Sequence, residues 1–151
     1  MISDFQEFLN ELAVVLGFPL QPDDKGACLI LMKQEEVPLL FEFDESLVPN
    51  TILISSEISP ISEDILSAVL EEALIANHSM SETLSCRPDS NFLYLHKRVH
   101  PKIAAADLKI IVEPLVKQVT HWRGRVQEIQ KSPPDKKVEA PPSFKMHQFK
   151  V

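Results

Sequence analysis

The chain has 151 residues, a net charge of −7 and 44% hydrophobic residues, which describes one ordinary globular body: a domain of this size buries roughly two thirds of its unfolded surface, and no apolar run approaches the roughly 20 residues of a membrane helix. The charge is uneven, with 16 acidic and 2 basic side chains in residues 1–84 and a basic excess after them, and such an acidic major surface repels phosphates and excludes nucleic acid as the expected partner. The acidic, amphipathic start MISDFQEF is unlike a signal peptide, so the expectation is a cytoplasmic protein without membrane insertion, with Cys28 and Cys86 as reduced core thiols.

The first predicted element is a helix over Ser3–Leu16. Ser3 and Gln6 fit a capping box, and Phe5, Phe8, Leu9, Leu12, Val15 and Leu16 recur at three- and four-residue steps. Gly17 stops it, and Phe18-Pro19 turns the chain away from helix. Three strands are expected next: Ala27–Lys33, Val37–Asp44 with Leu39, Phe41 and Phe43 on one face, and Thr51–Ser56 with Ile52 and Ile54 together. Their connectors suit antiparallel hairpins. Pro38 cannot donate to a ladder, which places it at a strand start or on an edge where another chain can add.

A second helix is expected over Ser59–Asn77, with Ser59 as cap, Pro60 in the first turn and Glu63 and Asp64 at its positive end. Ile61, Ile65, Leu66, Ala68, Val69, Ala73 and Ala76 form one broad stripe, and Leu70, Leu74 and Ile75 carry apolar surface onto the flanks. That exceeds the need of one core face. The excess calls for deep burial or a second partner, and another copy of the chain would serve.

Thr83–Arg87 and Phe92–Val99 read as a hairpin about the turn Pro88-Asp89-Ser90-Asn91. The last helix is expected over Ala104–Gln130, where Leu108, Ile111, Leu115, Val119, Trp122, Val126 and Ile129 keep a near-heptad register, with Trp122 as its core anchor. Pro114 falls inside that register and either kinks the helix or marks a restart. From Lys131 onward, four prolines in two pairs and several charges read as a flexible Pro/Lys-rich tail, residues 131–151, after a domain of residues 1–130.

Signatures of catalysis are missing from the sequence. Three glycines cannot build a phosphate loop, and no serine sits in a nucleophile elbow. His96, His100 and Cys86 lack a further ligand at metal-site spacing. The pairs Glu63-Asp64 and Glu71-Glu72 are adjacent surface carboxylates without a basic companion. The expectation is a binding protein, not an enzyme, with no catalytic residue, no metal and no cofactor.

The order helix, three strands, helix, two strands, helix, at low pI, resembles the class I type III secretion chaperones, the Tir chaperone family of Gram-negative bacteria. Three stretches carry the resemblance: FQEFLNELAVVLGFPL, SEDILSAVLEEALIAN and LVKQVTHWRGRV. It covers residues 1–130; Pro114 and the tail depart from the family pattern. The resemblance implies an α+β fold, an antiparallel twisted sheet of about five strands with three helices, dimerised through the central helix. It implies a cytosolic chaperone that keeps the N-terminal segment of a secreted effector extended and secretion-competent and delivers it to the export apparatus and its secretion ATPase. By position, it points to Ile65, Leu66, Val69, Leu70, Ala73 and Leu74 as the homodimer interface. For effector binding it points to Phe8, Leu12, Leu16, Leu29, Leu31, Leu39, Phe41 and Phe43. Each strand has two faces, so a core role for the strand residues stands beside the effector role. The alternative is a regulator or scaffold of the same fold that binds a folded partner through its acidic surface.

Overall fold

The computed structural model describes residues 2–46, 50–87 and 89–133, with side chains from residue 4 onward. The predicted contribution of Ser3 to a capping box and the tail beyond residue 133 lie outside the described residues. Three helices and five strands follow in the order α1 (Ile2–Leu16), β1 (Ala27–Met32), β2 (Val37–Asp44), β3 (Thr51–Pro60), α2 (Leu66–Asn77), β4 (Thr83–Cys86), β5 (Phe92–Val99) and α3 (Ala105–Lys131). The strands form one antiparallel sheet in the order β1-β2-β3-β5-β4.

Strand alternation sorts this sheet into two faces. Cys28, Ile30, Leu39, Phe41, Ile52, Ile54, Leu84, Leu93 and Leu95 are buried on the helix-covered face, in register as Cys28 opposite Phe41, Phe41 opposite Ile54 and Leu84 opposite Leu95. Helix α1 lays its aromatic residues on them, Phe8 against Phe41 at 5.9 Å and Phe5 against Phe43 at 6.3 Å between ring centroids. Helix α3 supplies Leu108, Leu115, Val119, Trp122, Val126 and Ile129 to the same core. The two cysteines lie in strands at opposite sheet edges, four strand spacings or about 19 Å apart, well beyond disulfide reach.

Two predicted boundaries move. Strand β3 runs to Pro60 instead of Ser56, and α2 begins at Leu66 instead of Ser59. Beyond an irregularity at Glu57/Ser59, Ser59 and Pro60 pair with Leu93 and Phe92 of β5. The long-range ladder thus claims the residues whose local chemistry suits a helix start. Ser59 accordingly donates its hydroxyl to Pro60 O at 2.9 Å, and α2 starts from a turn at residues 62–65 with no side-chain cap.

Both prolines of the sequence reading find their places. Pro38 lies in β2, an internal strand and not an edge. The β2–β3 ladder begins only at Leu40, and the Pro38 carbonyl accepts the Ser56 hydroxyl there, so no ladder donor is missing. Pro114 sits exposed within one continuous helix assigned over 27 residues. The N-terminus of α3 is capped from a distance, because Glu11 of α1 accepts the Ala105 N–H at 2.9 Å.

Side chains from the helices tie off the rest. Arg123 donates to the carbonyls of Ile58 at 3.0 Å and Glu36 at 3.0 Å, holding the β1–β2 turn in which Glu36 takes a positive φ of 53°. Arg125 forms a two-pronged pair with Glu72, joining α3 to α2. That pair, with the side-chain hydrogen bond first and the charge second, holds the Glu72 carboxyl below its usual pKa while burial opposes it. A depressed folded-state pKa contributes stability above the unfolded carboxylate value, and the contribution is lost as pH falls through the folded pKa. The melting-temperature gap between the wild type and Glu72→Gln is therefore expected to be widest near pH 6 and to close towards pH 3, as read by thermal melts across that range.

Candidate functional site

The two edges of the sheet are finished differently. At the β4 edge, Asn77 at the end of α2 accepts the Leu84 N–H at 2.7 Å and donates to the Leu84 carbonyl at 2.9 Å. A carboxamide thus stands in for a neighbouring strand at the middle of β4. Asn77→Ala leaves both Leu84 groups without these partners and is expected to cost about 2 kcal/mol, measured by urea denaturation.

Among the described residues, the β1 edge is open at its middle. In an antiparallel pair, backbone groups point alternately towards and away from the partner strand. Ala27 points away from β2, because Asp23 engages both its N–H, at 2.9 Å, and its carbonyl, at 2.7 Å. Leu31 shares that direction and stands opposite Pro38, which has no N–H to offer. Leu29 lies between them in the same phase. Its N–H and carbonyl, and those of Leu31, therefore face outward, and none of the described backbone bonds outside the sheet meets them. Their side chains are exposed too, Leu29 at 69% and Leu31 at 56%.

Apolar concavities flank this edge on both faces. On the helix side, Met32, Glu35, Val112, Glu113, Val116, Lys117 and Thr120 line a groove of about 520 Å³ between β1 and α3. On the uncovered face, a concavity of about 530 Å³ runs from Leu29 across Leu40 and Leu53 to Tyr94 and His96. Its charges are largely spoken for. Arg98 pairs with Asp44, Tyr94 reaches Glu57 at 3.4 Å, and the Arg87 guanidinium stacks 5.2 Å from the Tyr94 ring centroid. Burial first, and the nearby Arg98 charge second, push the His96 pKa below its ordinary value, so the ring is neutral at pH 7. The edge thus offers backbone partners along its length and room for side chains on either face.

The effector-contact residues expected from the sequence divide sharply. Phe8, Leu12, Leu39 and Phe41 are 0–1% exposed, so they fill the protomer core and present no surface. Leu16 and Phe43 are partly buried against that core. Leu29 and Leu31 alone are displayed, because β1 alternates its inner and outer positions at an edge. Sequence reading missed Met32, Val112 and Val116, the apolar wall of the groove. Their only signal was apolar character within a predicted strand and a predicted helix, which does not say that the two run side by side.

The predicted interface residues of α2 divide in the same way. Ile65, Val69 and Ala73 belong to the protomer core. Leu66 and Leu70 are partly buried, and Leu74 is 72% exposed. These three recur every four residues and form one stripe on the helix surface. Ile75, 68% exposed, lies on the other flank.

His96, Cys86 and His100 do not converge. Cys86 stands opposite core-facing Leu93, His96 lies on the other face opposite Thr83, and His100 Nδ1 accepts the Lys102 N–H at 3.1 Å. Among the described residues no group of three His, Cys, Asp or Glu side chains is placed to hold a metal ion, and no helix is long and apolar enough to cross a membrane.

The family model of the Tir chaperone protein (CesT) family matches residues 7–123. The chain belongs to the CesT family of chaperones. No curated protein matches the sequence. The fold is similar to that of three solved structures. In the HopA1-SchA chaperone-effector complex the similar chain is 19% identical, with 82% of this chain and 98% of that one covered at a TM-score of 0.66. In the ExsC-ExsE complex it is 14% identical, with coverage of 83% and 96% and a TM-score of 0.66. In the Yersinia pestis type III secretion chaperone SycH, solved with a stable fragment of YscM2, it is 12% identical, with coverage of 78% and 98% and a TM-score of 0.58. This CesT-family chain therefore has the α+β fold expected from its element order. The matched residues include β1, α2 and most of α3, which carry the open edge, the leucine stripe and the groove.

Proposed function

We propose that this protein is a cytosolic type III secretion chaperone that holds the N-terminal segment of a secreted effector as an extended strand along β1. The observation that carries this reading is the outward-facing backbone of Leu29 and Leu31 beside the apolar groove of Met32, Val112 and Val116. Edge pairing is indifferent to sequence, while pockets for alternate side chains give limited selectivity, which suits a chaperone that must hold a chain unfolded without ATP. Membership of the CesT family and the likeness to solved chaperone complexes support it. A two-fold seam built on Leu66, Leu70 and Leu74 of α2 completes a homodimer, and the loaded dimer presents the effector to the secretion ATPase. No cofactor or catalytic group enters the reading.

Affinity purification of the full-length protein from its native cell, followed by mass spectrometry, is the test. The expected result is a secreted protein whose first hundred or so residues suffice for capture. Recovery of folded housekeeping partners alone would remove the reading.

A further inference from the structure

We infer that the β1 edge is a window over residues 29–32, shut at one end by Asp23, and that it selects client segments with four successive apolar residues and a basic residue at the Asp23 end. The inference rests on the reading of β1 as the client-binding edge and adds which chain segments that edge accepts.

Hydrogen bonding sets the length. Within β1, Ala27, Leu29 and Leu31 share the outward phase. Asp23 already occupies the first of them, accepting the Ala27 N–H at its carboxylate and donating its own N–H to the Ala27 carbonyl. The hydrogen bond from Ala27 first, and the one from Lys25 second, hold the Asp23 carboxyl below its usual pKa, so the stop is ionised at pH 7. At the other end β1 finishes at Met32, and Arg123 holds the turn that follows through the Glu36 carbonyl. An added strand therefore pairs with Leu29 and Leu31 and leaves the ladder on either side of them.

Side-chain direction sets the chemistry. Residues opposite one another on neighbouring strands share a face of the sheet. Client side chains opposite Leu29 and Leu31 lie beside these exposed leucines on the uncovered face, where Leu40 and Leu53 continue the apolar surface. Those opposite Ile30 and Met32 lie on the helix side, where the groove of Met32, Val112 and Val116 opens. Both phases meet apolar surface. A strand with such neighbours on two faces is a continuous apolar run, in contrast to the alternating pattern of a strand with one wet face.

The two ends of the window differ in charge. At the Asp23 end, Asp23, Asp24 and Glu42, the residue opposite Ala27, stand against one base, Lys25. At the hairpin end, Glu35, Glu36 and Glu113 stand among Lys33, Lys117 and Arg123. The negative excess sits at the Asp23 end alone, and a client lysine or arginine placed there complements it.

Fluorescence anisotropy of labelled synthetic peptides on the full-length protein tests the inference. Lys-Val-Leu-Val-Leu-Lys, whose two lysines serve either strand direction, is expected to bind at least tenfold more tightly than Lys-Val-Ser-Val-Ser-Lys or Lys-Ser-Leu-Ser-Leu-Lys, each polar in one phase. It should also exceed its Glu-flanked counterpart. Lengthening the apolar run from four residues to six should leave wild-type affinity within twofold. In Asp23→Ala, which frees the Ala27 N–H, the six-residue run should gain at least fivefold over the four-residue run. Asp23→Asn keeps an acceptor oxygen without the charge, so it should retain the wild-type length dependence and narrow the gap between Lys and Glu flanks. Alternating peptides that bind as well as the continuous run, or a longer run that gains equally in the wild type and Asp23→Ala, would overturn the inference; loss of that binding in Leu31→Pro would still uphold the edge reading. Peptide binding undiminished in Leu31→Pro would remove the edge reading and this inference with it.

Discussion

Leu70→Glu combined with Leu74→Glu is expected to leave a folded monomer in place of the proposed homodimer. A two-fold seam is self-complementary, so each substitution acts twice across it. Burying one leucine contributes about 1.5–3 kcal/mol, and four are lost from the assembly while four carboxylates are brought towards one another. The association constant should fall more than a thousandfold. Leu74 is largely exposed and Leu70 only partly buried in the single chain, so most of the cost falls on assembly and not on folding. Light scattering on a sizing column at 10 μM reads the outcome, with far-UV circular dichroism unchanged. Val69→Glu makes the contrast, since Val69 is fully buried in the protomer; it should unfold the chain instead of splitting a dimer. A double variant that remains dimeric would move the seam away from α2.

The second large effect is expected from a single proline. Leu31→Pro removes an N–H that faces away from β2 and stands opposite Pro38, so the β1–β2 ladder loses nothing, and an edge strand tolerates proline in that phase. The free edge loses one of its two outward donors and gains a ring where an incoming strand must approach. Capture of the effector segment should weaken by tenfold or more, while the melting temperature stays within a few degrees of the wild type. Ile30→Pro, one residue earlier, removes an inward-facing ladder donor and should destabilise the sheet itself. Calorimetric titration with the copurified effector segment separates the two. Equal binding by the wild type and Leu31→Pro would place the effector elsewhere.

Both predictions turn on a distinction that the sequence could not make. Leu29, Leu39 and Phe41 are all apolar residues in strand patterns, and the same resemblance pointed to all three as effector contacts. The structure buries Leu39 and Phe41 and exposes Leu29. The difference comes from strand order: β2 lies inside the sheet beneath α1, whereas β1 is an edge whose outer phase none of the described helices covers. In α2, the stripe expected as one interface divides between Val69 and Ala73, which face the core, and Leu74, which faces solvent. Apolar surplus was legible; its direction was not.

What the sequence determined by itself were the local elements and their class. Period-3.6 apolar spacing in α1 and α3, period-2 spacing in β2 and β5, and the turn residues between them give three helices and five strands in the right order, because these signals depend only on neighbours along the chain. Tertiary structure decided whatever depends on residues far apart. Pairing with β5 drew Ser59 and Pro60 into β3 and moved the start of α2 to Leu66. Glu11 capped α3 across 94 residues, and Asn77 closed the β4 edge. Above all, placing β1 last in the sheet left Leu29 and Leu31 without a strand neighbour on their outer side among the described residues. A strand's hydrogen bonds are satisfied between strands and never within one, so which edge stays open is a property of the assembled sheet alone.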